Sequence, residues 1–178
     1  MTDKSTIRRM IRKAKTDLTP YYIASASHAI IKRLEQHPRF QSADRICIYH
    51  ALPDEVQTQA LINTWCCDKT IYLPVIRQDK IYLSLYQPHD ALVAGKYGIG
   101  EPAADHLLTA YDTLDLIILP GMAFDSQGTR LGRGRGYFDT LLSHPQFAGV
   151  YKIGICFDFQ KFTKLPHEPH DVRVDEVI

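Results

Sequence analysis

The segment Arg130-Leu131-Gly132-Arg133-Gly134-Arg135-Gly136-Tyr137-Phe138-Asp139 concentrates more chemical possibility than any other part of the chain. Glycines at alternate positions leave backbone N–H groups free to converge on an anion, with no Cβ in the way. The arginines between them carry forked donors that match phosphate oxygens. A helix starting near Gly136 adds its own unpaired N–H groups and the positive end of its dipole. The pattern is not a Walker A loop, because no Gly-Lys-Ser/Thr follows, and its glycine spacing differs from the dinucleotide fingerprint. Phosphate binding is the reading it favours. An RNA-contacting Arg-Gly loop and a plain basic loop stay open at this point.

Asp139 follows three residues after the last glycine. A carboxylate beside a phosphate cradle is repulsive unless a cation lies between them, and Mg²⁺ takes one or two carboxylates together with phosphate oxygens and water. Asp139 would equally suit the first turn of a helix as a dipole-stabilising acid. The candidate second carboxylate is Asp171, in Leu165-Pro166-His167-Glu168-Pro169-His170-Asp171. His167 and His170 resemble a transition-metal pair, but Pro169 between them works against helical i, i+3 ligation. Glu55, in Leu52-Pro53-Asp54-Glu55-Val56, reads most simply as part of a helix start with Asp54 as N-cap. Tyr97 and Phe124, near glycines in long loops, are candidates for contact with a flat ligand, whereas Trp65 and Tyr72 read as core.

These residues must be positioned by an ordered frame, and the chain supplies one. Its 178 residues, 45% hydrophobic and 23% charged, fit one compact domain spanning 1–178 rather than a disordered chain. Ile7, Met10, Ile11 and Ala14 mark one face of a helix near Thr6–Lys15 whose other face is basic. Thr19 and Pro20 open a second helix with its stripe at Ile23, Ile30, Ile31 and Leu34, ending near His37-Pro38. Strands read at Arg45–Tyr49, Thr70–Val75, Lys80–Tyr86, Leu114–Leu119 and Lys152–Phe157. Helices lie between the first two, with Val56, Ala60, Leu61 and Trp65 on one side, and from about Tyr137 to Ser143. Strands alternating with helices predict an α/β fold: a mostly parallel central sheet flanked by helices in a Rossmann-like three-layer arrangement.

The net charge of +1 lacks the general basic excess of a nucleic-acid binder. The apolar stretch Leu116–Phe124 falls far short of the roughly 20 residues a membrane helix needs. No apolar segment of a secretory signal follows Met1, so a cytoplasmic protein with reduced thiols is expected. Cys47, Cys66, Cys67 and Cys156 form no Cys-x-x-Cys pair and read as buried and inert.

Pro120-Gly121-x-Ala123-Phe124-Asp125, followed by Gly128-x-Arg130 through Asp139, resembles the signature of the 5-formyltetrahydrofolate cyclo-ligase family. The resemblance extends along the chain through Lys4-x-x-x-Arg8, Pro53-Asp54-Glu55, Leu73-Pro74, Gly98-Ile99-x-Glu101-Pro102 and Leu165-Pro166…His170-Asp171. It implies a small cytoplasmic α/β enzyme, expected to be a monomer, that uses ATP and Mg²⁺ to turn 5-formyltetrahydrofolate into 5,10-methenyltetrahydrofolate, without nucleic acid or membrane as partner. It implies further that Lys4, Arg8 and the loop from Arg130 through Leu131, Gly132, Arg133, Gly134, Arg135, Gly136 and Tyr137 to Phe138 hold ATP. Asp139 and Asp171 would bind Mg²⁺. His50, Glu55, Arg133, Gly134, Arg135, Gly136 and Tyr137 would contact the folate. The family usually reads Tyr-Tyr-Asp where this chain has Tyr137-Phe138-Asp139, a change that removes a hydroxyl and keeps a ring able to stack.

Overall fold

The structure is a computed structural model and describes residues 3–88, 92–95, 98–102, 106–109 and 112–178. Helix α1, Lys4–Thr16, is capped by Asp3, whose carboxylate accepts from the N–H groups of Ser5 and Thr6. Ile7 and Ile11, one turn apart, bury against Met122, Ala123, Leu131 and Leu165, which fixes α1 beside the glycine loop. Helix α2, Pro20–Glu35, begins as its caps dictate, with Thr19 Oγ1 accepting from Tyr22 N–H. Pro38 ends that run but does not end helix formation: it opens a one-turn helix α3, Pro38–Ser42, that periodicity is too short to reveal.

Strand β1, Arg45–Ile48, leads through a loop to α4, Gln59–Trp65. Thr58 holds the N-cap position of α4, so Asp54 does not start the helix, contrary to the sequence expectation. Strands β2, Thr70–Arg77, and β3, Lys80–Tyr86, form a hairpin turning at Gln78 and Asp79. Both turn residues have positive φ, 48° and 60°, which gives the tight mirror-image turn whose twist matches the flanking strands. Short strands β4, Val93–Ala94, and β5, Gly100–Glu101, pair with each other. Then come β6, Leu116–Leu119, β7, Ala123–Asp125, β8, Arg130–Leu131, helix α5, Tyr137–Leu142, and strands β9, Tyr151–Gly154, β10, Lys161–Phe162, and β11, Glu176–Val177.

Six strands form the central sheet in the order β11-β9-β6-β1-β2-β3, parallel throughout except for the β2–β3 hairpin. Ile46, Ile48, Leu116 and Ile118 point to one face, where Ile30, Leu34, Phe40, Leu61 and Ile62 of α2 to α4 cover them. The alternate residues Cys47, Ile117 and Leu119 point to the other, beneath Leu141 and Leu142 of α5 and Phe147. The chain leaves β1 toward β2 and later returns to place β6 on the opposite side of β1. The crevice beyond the carboxyl ends of β1 and β6 is therefore the topological switch point, where open α/β sheets bind ligands.

Two expectations fail inside this frame. Phe124 is fully buried, wedged so closely between Gly121 and Gly154 that a Cβ on either glycine would strike its ring, so it meets no ligand. Cys47 and Cys156 are buried, but Cys66 is half-buried and Cys67 exposed on the turn that follows α4. Tyr97 lies outside the described residues.

Candidate active site

Two cavities open at the switch point. The first, of about 320 Å³, lies between the loops after β1 and β6, the β2–β3 hairpin and the glycine loop. Its walls include Tyr49, His50, Glu55, Ile76, Ile81 and Glu101, together with Arg133, Arg135, Tyr137 and Phe138. The second, of about 570 Å³, lies between the N-terminus of α1 and the segment from Pro166 to Asp171, and takes in Lys4, Arg8, Gly134 and Asp171. Arg130, Gly132, Gly136 and Asp139 line both. The glycine loop is thus a shared partition rather than the floor of one pocket.

The loop adopts its course because two of its glycines sit where other residues are strained: Gly134 at φ 105° and Gly136 at φ 70°, the latter as N-cap of α5. Arg8 ties α1 to the loop by donating from Nε to Gly132 O at 2.8 Å. Lys4 Nζ donates to both oxygens of Asp171, at 2.7 and 3.0 Å, and to Glu168 at 2.8 Å. Burial is the largest influence on Asp171 and would raise its pKa, but the Lys4 ammonium and the Glu168 N–H outweigh it and hold the carboxyl below the usual range. Arg130, 4% exposed, donates to Asp139 Oδ1 at 2.7 Å and lays its guanidinium over the Phe138 ring at 5.7 Å.

On the other side of the partition runs a chain of alternating charges. Lys15 Nζ, almost wholly buried, lies 3.2 Å from Asp54 Oδ2. Asp54 Oδ1 accepts from Arg133 Nη2 at 2.6 Å, and Arg133 Nε donates to Glu55 Oε1 at 2.9 Å. The second Glu55 oxygen accepts from Leu52 N–H at 3.0 Å. Burial pulls the Lys15 pKa down against the pull of Asp54 and Glu55, while Asp54 is held low by Lys15 and Arg133 despite its own desolvation. Asp54, read from sequence as a cap, is instead the link between α1 and the glycine loop. Arg133 and Arg135 therefore share the first cavity with Glu55 and His50, while Lys4 and Arg8 line the second.

His50 presents a buried Nδ1 without a hydrogen-bond partner among the described residues and packs under Gly100, where a Cβ would come within 3.1 Å of its ring. Burial lowers its pKa, so the imidazole is neutral at neutral pH. Glu101, 2% exposed, is held by Arg77 Nη1 at 2.7 Å and by Ile76 N–H at 3.3 Å.

Three cavity groups escaped the sequence reading: Arg12, Tyr49 and Glu101. For Arg12 the signal was present, since Lys4, Arg8 and Arg12 recur every four residues and so share one side of α1. For Tyr49 no local pattern exists, and Glu101 stood in the Gly98-Ile99-x-Glu101-Pro102 resemblance with no role attached to it; only the topology brings the two to the crevice.

Asp139 and Asp171 line the same cavity as the glycine loop. Carboxylate oxygens beside a phosphate cradle are the donor set that Mg²⁺ takes, so the residues present fit that ion. An overlapping cluster of Glu168, His170 and Asp171, with ligand atoms within 4.8 Å of one another, is spanned by Lys4 through its bonds to both acids.

Fold and site together define a class: an α/β protein with a glycine- and arginine-rich loop standing between two cavities. The chain belongs to the 5-formyltetrahydrofolate cyclo-ligase family, whose model matches residues 1–178. It is 30% identical over 177 residues to the 5-formyltetrahydrofolate cyclo-ligase of Haemophilus influenzae, covering 97% of this chain and 95% of the relative. It is 31% identical over 175 residues to that of Escherichia coli K12, with 95% and 96% covered. The solved structure of Aquifex aeolicus 5,10-methenyltetrahydrofolate synthetase superposes with a TM-score of 0.86 at 30% identity, covering 98% of this chain and 88% of the other.

Proposed function

We propose that this chain cyclises 5-formyltetrahydrofolate to 5,10-methenyltetrahydrofolate with ATP, releasing ADP and phosphate. The observation that carries the reading is the shared partition. A formyl oxygen in the first cavity and a terminal phosphoryl group in the second would meet at Arg130, Gly132, Gly136 and Asp139, the residues that line both.

The chemistry asks for such a meeting. The N5-formyl group is amide-like, and closing the ring from N10 must expel its oxygen, which leaves poorly as hydroxide. Transfer of the γ-phosphoryl group to that oxygen turns it into phosphate. N10 then attacks the formyl carbon and loses its proton, and phosphate departs. Phosphoryl transfer asks the protein for positioning and charge neutralisation rather than for a nucleophile. Lys4, Arg8, Arg130 and the backbone N–H groups of the glycine loop hold the triphosphate. Asp139 and Asp171 hold Mg²⁺, which when bound neutralises phosphate charge.

On the folate side, Glu55 accepts hydrogen bonds from the pterin N–H groups, and Arg133 fixes its orientation. Neutral His50 forms a wall that repels no ring nitrogen, while Tyr137 and Phe138 offer faces for stacking. Among the described residues no helix is long and apolar enough to cross a membrane, and the net charge of +1 lacks the basic excess of a nucleic-acid binder, which leaves small molecules as the partners this reading requires.

Purified protein mixed with 5-formyltetrahydrofolate, ATP and Mg²⁺ should develop the methenyl chromophore and release one ADP per product. No chromophore, or one that forms without ATP, would overturn the reading.

A further inference from the structure

We infer that Arg12 and Arg135 form a carboxylate-binding subsite at the outer end of the first cavity, and that it takes the glutamate end of the folate. The inference rests on the reading of that cavity as the folate site. Most of the other charged side chains lining it are already paired with one another or with a neighbour. Arg130 is bonded to Asp139, Arg133 to Asp54 and Glu55, and Glu101 to Arg77. These pairs hold the walls. Arg12 and Arg135 line the same cavity, are exposed, and have no carboxylate within ion-pair distance among the described residues. A guanidinium that braces nothing is available to a ligand.

The placement of charge along the cavity matches one molecule. The lining residues that offer acceptors are buried, with Tyr49, Glu55 and Glu101 only 4%, 9% and 2% exposed. A reduced pterin is rich in N–H donors and carries no anion, so it belongs there. The apolar side chains of Ile76, Ile81 and Ile99 suit the aromatic ring that follows. The substrate ends in a glutamate with two carboxylates, and the exposed part of the lining includes Arg12 and Arg135, which have no ion-pair partner among the described residues. Neither arginine lines the second cavity, the one read here as the triphosphate side. Arg12 reaches this position because it lies two turns beyond Lys4 on α1, in the row that begins at the phosphate side.

The test compares 5-formyltetrahydrofolate with 5-formyltetrahydropteroate, the same molecule without glutamate, on wild type, Arg12→Ala, Arg12→Lys and Arg135→Ala, each checked for folding by circular dichroism. A charge-assisted hydrogen bond at an exposed site predicts a rise of about 5- to 20-fold in the folate KM for Arg12→Ala, with part of it recovered by Arg12→Lys. Arg135→Ala should raise the folate KM in the same direction. The pteroate KM should stay within about twofold for all variants, and the wild-type preference for the folate should weaken as salt rises. Equal rises for both compounds, or none for either, would overturn the subsite, as would a rise confined to the ATP KM. Wild type that converts neither compound would overturn the folate reading itself, and the subsite with it.

Discussion

Glu55 is where sequence and structure diverge most usefully. One oxygen pins its own loop through Leu52 N–H, and the other orients Arg133, which Asp54 also grips from a buried lysine on another element. A side chain restrained on both oxygens is pre-organised, so a ligand that bonds to it loses little in ordering it. Glu55→Gln keeps the shape and removes the charge that Arg133 faces. We expect the KM for 5-formyltetrahydrofolate to rise about tenfold, consistent with the loss of a charge-assisted contact of about 1.5–3 kcal/mol discounted for the partial exposure of Arg133. The ATP KM should remain within about twofold. Steady-state titration of each substrate separates the two, and a matching rise for ATP would show that Glu55 shapes the loop rather than the folate site.

At the level of elements, α1 does the most: its apolar pair docks it, its first turn lines the second cavity, its middle reaches the first, and Lys15 braces Asp54. The periodicity of Ile7 and Ile11 made the helix legible, as the Thr19-Pro20 pair did for α2 and the unbroken Leu116–Leu119 run did for a strand buried on both faces. Strand order was not legible, because nothing local in β6 says that it lies beside β1. That missing fact hid the switch point, and with it the partition of Arg133 from Lys4. The role of Asp54 was misread for the same reason: its partners Lys15 and Arg133 are 39 and 79 residues away. The α1 contacts also predict how ligands couple. Without a metal ion, Lys4 stays on Asp171 and Arg130 on Asp139, so the cations meant for phosphate are occupied by the carboxylates. ATP affinity measured calorimetrically should therefore fall at least tenfold in EDTA. Asp171→Asn, which leaves Lys4 its bond to Glu168 but removes the stronger, charged partner, should shrink that ratio by weakening the Mg²⁺-supported affinity and raising the metal-free one. An unchanged ratio would mean that Lys4 and Asp171 do not exchange partners.

The whole molecule provides its own reporters of how these parts cohere. Cys47 sits on β1 in the core of the sheet, and Cys156 just beyond β9; burial pushes both thiols up to about 12. Thiolate is the reactive form, so at pH 8 only about one in ten thousand would be ionised even if reagent could reach them. Cys67 lies exposed on the surface after α4, open to reagent. Iodoacetamide at pH 8 should thus alkylate Cys67 promptly in the native state and reach Cys47 and Cys156 only through opening of the sheet. Both cavities are built on loops that leave the carboxyl ends of that sheet, so ligands that bind only the folded form make its opening rarer by the factor 1 + [L]/Kd. Adding 5-formyltetrahydrofolate, or ATP with Mg²⁺, at a hundredfold excess over Kd should slow labelling of Cys47 and Cys156 about a hundredfold and leave Cys67 unchanged, as followed by peptide mass spectrometry. If Cys156 instead reacted as fast as Cys67, or ignored both ligands, the sheet beneath the two cavities would open in pieces, and its strands could not hold the partition between them as one body.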